Sequence, residues 1–271
     1  MLRFALLAAA AMVAAPAVAA DFSFADAGPT PEERRIAGYL DIQGGYSWFD
    51  FDFGSFQASH VDVAGRMNVW LNRRVSLQFD AWDEELYFEG GGDFSMYGGA
   101  VHANLRDPSS HLVGVVASVG NSFGGDYASA AFEAQRYIGN LTLYGQAGYS
   151  WGYDNADGQT MPYFHLVARQ FLTPDLMLEG QAGYGQFDTG FSTTDVVRWE
   201  ARIEGKLPRA PLSAYVAYQG MYDSSGGFSL WEHAVVGGVR LISTDTLLAN
   251  DRSGATLVDY NPLFGYPIWR D

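Results

Sequence analysis

Apolar and polar residues alternate with a period of two along most of this chain. In the first such segment Gly38, Leu40, Ile42, Gly44, Tyr46 and Trp48 form one face, and Tyr39, Asp41, Gln43, Gly45 and Ser47 form the other. In the second, Val61, Val63, Gly65, Met67, Val69 and Leu71 oppose His60, Asp62, Ala64, Arg66 and Asn68. In the third, Val75, Leu77, Phe79 and Ala81 oppose Ser76, Gln78, Asp80 and Trp82. Successive side chains of a strand point to opposite sides, so strict alternation marks a strand with two unlike faces. The pattern recurs at 95–105, 112–120, 127–137, 141–152, 161–171, 176–186, 196–207, 212–222 and 230–242, which gives about twelve strands. Most are long enough for a tilted strand to cross a bilayer. Segment 112–120 is apolar on both faces and fixes its register least.

The connections carry separate information. Every second one is tight: 72–74, 107–110, 139–140, 173–175 and 208–210. The others, 49–59, 83–94, 121–126, 153–160, 187–195 and 223–229, read as longer loops rich in Gly, Asp and Ser. Short periplasmic turns alternating with longer external loops are the habit of transmembrane barrels. An internal echo agrees, since Leu143-Tyr-Gly-Gln-Ala-Gly-Tyr149 is matched by Leu178-Glu-Gly-Gln-Ala-Gly-Tyr184. The offset is one hairpin, the repeat unit of an up-and-down barrel. The expected fold is therefore all-β, a closed up-and-down antiparallel transmembrane β-barrel.

The polar faces then line a lumen. They carry Asp62, Arg66, Asp80, Arg106, Glu133, Arg169, Glu179, Arg198, Glu200, Arg202, Glu204 and Lys206, a ladder of both signs, with Asp41, His102 and His165 on the same faces. A membrane barrel turns its apolar face to lipid and its polar face inward. On a soluble barrel the ladder would be a solvated surface. Aromatic residues near strand ends suggest two interfacial girdles. One holds Trp48, Phe49, Trp82, Trp151, Tyr153, Tyr163, Tyr222 and Trp231 on the long-loop side, the other Trp70, Tyr137 and Phe171 on the short-turn side.

The chain begins like an exported protein. Arg3 precedes the apolar run Phe4–Val13, Pro16 breaks it, and Ala17-Val18-Ala19 offers small residues for cleavage. This gives a signal peptide over 1–20, a periplasmic segment over 21–35, the barrel over 36–243 and a tail over 244–271 that hangs in the periplasm or plugs the lumen. Past residue 20 no apolar stretch is long enough for a spanning helix.

Composition refines this picture. Charged residues are only 17% of the chain, aromatics 15%, and 31 acidic residues against 16 Lys and Arg leave a net charge of −15. That balance excludes a phosphate-tracking nucleic-acid partner. The absence of Cys removes disulfides and thiolate chemistry. Much of the acid falls in the long connections and the short turns hold Arg73, Arg74, Arg106 and Arg209. An acidic rim favours cations, or lipopolysaccharide bridged by divalent ions, at the mouth.

In these features residues 36–243 resemble bacterial outer-membrane β-barrel proteins, more loosely the porin-like barrels. The tail sequence Asp245–Leu257 resembles that of uncharacterised alphaproteobacterial barrels. The resemblance implies a Gram-negative outer membrane, a lipid and lipopolysaccharide surround, and passage of small hydrophilic solutes. One departure stands out. Such barrels end on a strand with a terminal aromatic, whereas here Val239-Arg-Leu-Ile242 is followed by a further 244–271. Either the insertion signal is internal or the tail holds another strand.

Catalytic chemistry finds little support. His233 has lipid-facing parity but no Ser on the neighbouring strands. His60 and Asp62 with Asp50 and Asp52 form the best acid–base grouping, without diagnostic spacing. Gly90-Gly-Gly92 and Gly180-x-x-Gly183-x-Gly185 do not lead from a strand into a helix, as a phosphate loop would. The five His are scattered, so no metal or cofactor is expected and the protein is not read as an enzyme. Two functions remain, with an outer-membrane hydrolase as a minor alternative. One is a narrow passive channel, with inward Gly114, Ser118, Gly120, Ala234 and Gly238 leaving room beside the ladder. The other is a structural or surface-interaction barrel with a closed lumen.

Overall fold

The computed structural model describes residues 36–122 and 125–257. Twelve antiparallel strands run in sequence: β1 (Ile36–Phe51), β2 (Gly54–Trp70), β3 (Val75–Phe88), β4 (Asp93–Asp107), β5 (His111–Ser122), β6 (Gly125–Ile138), β7 (Leu141–Gly152), β8 (Thr160–Thr173), β9 (Leu176–Asp188), β10 (Thr193–Lys206), β11 (Leu212–Ser225) and β12 (Phe228–Ile242). Each pairs with its neighbours in sequence, and β1 closes on β12 from Tyr39 opposite Ile242 to Phe51 opposite Leu230. Closure leaves no unpaired edge, which is the condition for crossing lipid with strands. The expected signal peptide over 1–20 and the 21–35 segment lie outside the described residues.

Parity falls as the alternation predicts through the middle of every strand. Leu40, Ile42, Val61, Val63, Phe79, Val101, Val115, Phe132, Leu166, Val235 and Val239 face outward and are exposed. Phe132 is 76% exposed, which no water-soluble barrel would leave in the middle of its apolar belt. Residues 112–120 take the register that puts Leu112, Val116 and Ser118 inside and Val113, Val115 and Val119 outside.

The long connections are different from the expectation. Strands continue into them, leaving turns of 52–53, 89–92, 189–192 and 226–227. Of the connections among the described residues only 153–159 is a loop of some length, with a short 3-10 turn at Asp154–Ala156. The reason is that the alternation inverts there. Beyond the apolar belt Phe49, Leu86, Met161, Phe187, Val196, Met221 and Leu230 point inward and are buried. Asp50, Asp83, Asp93, Asp188 and Asp195 point outward and are exposed. The barrel wall thus rises above the lipid belt as a collar, acidic outside and largely apolar inside, where Asp223 and Glu232 are also buried. An inverted period resembles a broken one when a single face is followed along the sequence.

The aromatic girdles are corrected in the same way. Trp48, Trp151, Tyr153 and Trp231 are outward and exposed, and Tyr222 packs on Trp231 with ring centroids 4.5 Å apart. Phe49, Tyr163, Trp70, Tyr137 and Phe171 are buried within the barrel, and Trp82 packs against the collar's apolar cluster. Their positions near strand ends suggested an interface, but their parity is that of the lumen.

The described tail forms no strand. Helix α1 (Leu247–Ser253) follows β12 after a short link and is buried from Leu247 to Arg252. Thr246 caps it, its Oγ1 accepting the Ala249 N–H at 3.0 Å. Leu247 and Leu248 pack on Phe171, Met177 and Ile242, so the helix lies inside the short-turn end of the barrel.

Candidate functional site: the charged lumen and its tail

The ladder residues assemble into a belt of alternating charge around the lumen. Arg66 on β2 lies 3.6 Å from Asp80 on β3. The same carboxylate oxygen, Asp80 Oδ2, meets His102 Nε2 on β4 at 3.3 Å, and His102 Nδ1 is 3.0 Å from Glu133 on β6. Tyr144 on β7 donates its hydroxyl to Glu133 at 3.1 Å. Arg169 on β8 donates to Glu179 on β9 at 2.6 Å. Glu179 is 3.9 Å from Arg202 on β10, which pairs with Glu200 at 2.9 Å. Arg240 on β12 joins Glu204 at 2.8 Å to Asp41 on β1 at 2.6 Å. His102, Arg169, Arg202 and Arg240 each contact two carboxylates from different elements, so the pairs offset much of the lumen's charge and tie neighbouring strands together. Charges removed from water need such partners, because an unpaired one is costly to bury.

All twelve residues of the expected ladder face inward. The belt draws in Asp62, Arg66, Asp80, Glu133, Arg169, Glu179, Arg198, Glu200, Arg202 and Glu204. Arg198 and Asp62 line the upper part of the cavity, and Gln43 donates to Asp62. Arg106 and Lys206 are set apart from it. Arg106 is buried under the tail, beside Trp70 at 5.7 Å. Lys206 lies at the rim of the short-turn end, in a recess with Asp175, Arg209 and Asp245. Arg240 was missed as a ladder residue, although it shares the parity of Ala234 and Gly238. Glu84, read as a loop residue, is on the cavity wall. Asp251 could not have been found by strand parity, since it enters on the tail.

A cavity of ≈ 310 Å³ occupies the middle of the lumen. Arg66, Arg169, Arg198, Arg202 and Arg240 line it together with Asp41, Asp62, Glu84, Glu179 and Glu200. The tail residues Leu247, Asn250, Asp251, Ala255 and Thr256 form its floor, and Met96, Asn121 and Ser122 carry its lining toward the collar. The small residues expected to leave room on β5 and β12 do not do so. A Cβ on Gly114 would lie 1.9 Å from Asn104 Oδ1, and one on Gly238 2.4 Å from a Tyr215 ring carbon. Those glycines accept neighbouring side chains. The open volume lies instead along β1–β3 and β9–β10.

The tail is held by side chains of the wall. Trp70 Nε1 donates to the Ser253 carbonyl at 2.9 Å and Arg106 Nη1 to the Gly254 carbonyl at 2.7 Å. Arg66 and Gln78 donate to the Leu257 carbonyl at 2.8 and 2.9 Å. Asp251 meets Arg169 at 3.2 Å and accepts from Thr142. Arg252 donates to the Gly139 carbonyl at 2.9 Å and stacks on Tyr137 at 4.2 Å. The Leu257 side chain is fully buried among Leu112, Tyr144 and Val167.

The catalytic grouping does not assemble. His60 Nε2 lies 4.0 Å from Asp62, facing the lumen. Asp50 and Asp52 are on the collar's exterior, where Asp52 accepts from Ser229. His233 is outward, with its Nδ1 2.6 Å from the Tyr218 hydroxyl and no Ser opposite it on β1 or β11. Among the described residues no three His, Asp or Glu converge as metal ligands would.

No protein family and no curated protein sequence matches the chain. Solved structures do. The chain is similar to an outer-membrane channel from Pseudomonas putida, with 12% identity, a TM-score of 0.56, and coverage of 82% of this chain and 100% of that one. It is also similar to the translocator domain of the autotransporter NalP from Neisseria meningitidis, with 10% identity, a TM-score of 0.51, and coverage of 88% and 97%. At these identities the likeness concerns architecture. The fold is that of the outer-membrane β-barrels.

Proposed function

We propose that the chain is a narrow passive channel of a Gram-negative outer membrane, passing small hydrophilic solutes, with its tail seated in the periplasmic mouth. The observation that carries this reading is the ≈ 310 Å³ cavity inside a wall of paired charges. A barrel that served only as a scaffold would gain more from an apolar core than from so many buried ion pairs. The lipid-facing belt, the closed sheet and the likeness to a channel fold support the setting. Lipopolysaccharide as the outer surround, and the kinship of the tail with alphaproteobacterial barrels, belong to the same reading.

Planar-bilayer recording tests it. The full chain should give small, salt-dependent conductance steps, and removal of 244–271 should enlarge them. A second reading, a closed barrel whose acidic collar binds something outside, is favoured by the apolar lining of the collar. It gains if a folded, heat-modifiable barrel conducts neither with nor without the tail.

A further inference from the structure

We propose that the tail end of the lumen is a peptide-recognition site, occupied in the resting barrel by the chain's own residues 253–257, and open to a short peptide of another molecule. The argument lies in which atoms of the tail the wall contacts. Asn68 and Trp70 donate to the carbonyl of Ser253, at 3.3 and 2.9 Å, and Arg106 donates to that of Gly254 at 2.7 Å. Gln78 makes a double contact with one residue. Its Nε2 donates to the Leu257 carbonyl at 2.9 Å, and its Oε1 accepts the Leu257 N–H at 3.1 Å. That is how a neighbouring strand grips an extended backbone, and it is blind to side-chain identity.

The side chains of 253–256 are left to the tail itself. Ser253 Oγ donates to the Ala249 carbonyl and Thr256 Oγ1 to that of Asp251. Gly254 and Ala255 offer nothing polar. Leu257 alone has a seat on the wall, among Leu112, Tyr144 and Val167. The site therefore specifies the carbonyls of a helix end, since Ser253 closes α1 and Gly254 is its C-cap, followed by small residues and an aliphatic anchor. It also has donors that the present occupant does not use. Arg106 is 1% exposed, yet among the described residues its Nε and Nη2 have no hydrogen-bond partner. Guanidinium donors held out of water are an unfilled capacity for a carbonyl or carboxylate.

On the barrel side, release of the tail is tolerated at the charge belt. Arg169 retains Glu179 at 2.6 Å when Asp251, at 3.2 Å, departs. A tethered occupant competes as though present at millimolar concentration, so the tail hides the site from outside peptides.

This inference deepens the channel reading by naming short peptides as a ligand class, but its test reads binding and does not need conductance. The experiment uses the full-length barrel in detergent and a capped peptide Ser-Gly-Ala-Thr-Leu, followed by calorimetry. In the double variant Asp251→Asn with Leu257→Ser, the peptide should bind at least about tenfold tighter than to the unaltered chain. A peptide with Asp in place of the final Leu should not bind. Adding Gln78→Leu should abolish the gain. Equal or absent binding to a double variant that is folded by heat-modifiability overturns the proposal and makes the tail a fixed part of the wall. If the double variant does not fold, Thr246→Ala, which only weakens the helix cap, is read by the same criteria. A barrel that binds the peptide but never conducts would retain the site and lose the channel.

Discussion

Arg240 occupies the densest point of the belt. It joins Asp41 to Glu204 and lies over the rings of Tyr39 and Tyr215, at 4.6 and 5.1 Å. Arg240→Met would leave two carboxylates facing each other without their cation. The expected loss is about 3 kcal/mol in urea unfolding followed by heat-modifiability, since removing one partner of a buried ion pair costs about 3–5 kcal/mol. Double replacement with Asp41→Leu should recover part of it. The belt was legible from parity alone, because alternation fixes which side of the wall a residue serves. Which ladder members pair with which was not, since pairing depends on register across strands. The tail's Asp251 was invisible to that logic. The aromatic misassignments had the opposite origin. Trp70, Tyr137 and Phe171 carry lumen parity in the sequence, and their place near strand ends was given more weight than their face.

Strands and helix each have their own test. Val235 sits near the middle of the outward face of β12 and is exposed. Val235→Arg should cost about 2–4 kcal/mol in refolding into lipid, whereas Leu241→Arg, near the end of the same face, should cost about 0–1 kcal/mol. The same pair of substitutions in a water-soluble barrel would be nearly silent. For α1, Thr246→Ala removes the bond to Ala249 N–H and about 1 kcal/mol of helix stability. In bilayer recordings that variant should show longer or more frequent large-conductance openings. Strand number and order were readable because each strand carries its own alternation. The collar was not, because its inversion of faces resembles loss of pattern unless the two faces are scored separately.

For the molecule as a whole, the two ends differ in charge. Asp50, Asp52, Asp83, Asp93, Asp188 and Asp195 are exposed on the collar, while Arg73, Arg74 and Arg209 mark the short-turn end. In the belt between them Arg66, Arg169, Arg198, Arg202 and Arg240 face a larger number of carboxylates, most of them held in ion pairs. The ion preference that salt can screen should therefore come from the rim. Reversal potentials in a salt gradient are expected to favour cations at about 0.1 M salt and to lose most of that preference near about 1 M, where the Debye length falls to about 3 Å. A preference that survives high salt would place the selecting charge inside the lumen instead.

The order of the last two elements also bears on biogenesis. β12 ends at the same rim through which α1 enters, and Ser243 bonds back to Gly38 at the foot of β1. The seam between first and last strands can therefore zip shut before the tail goes in, with no chain threaded through a finished ring. Sealing of the wall and corking of its interior become separable events, and a slow phase that appears only when 244–257 is present would time the second of them.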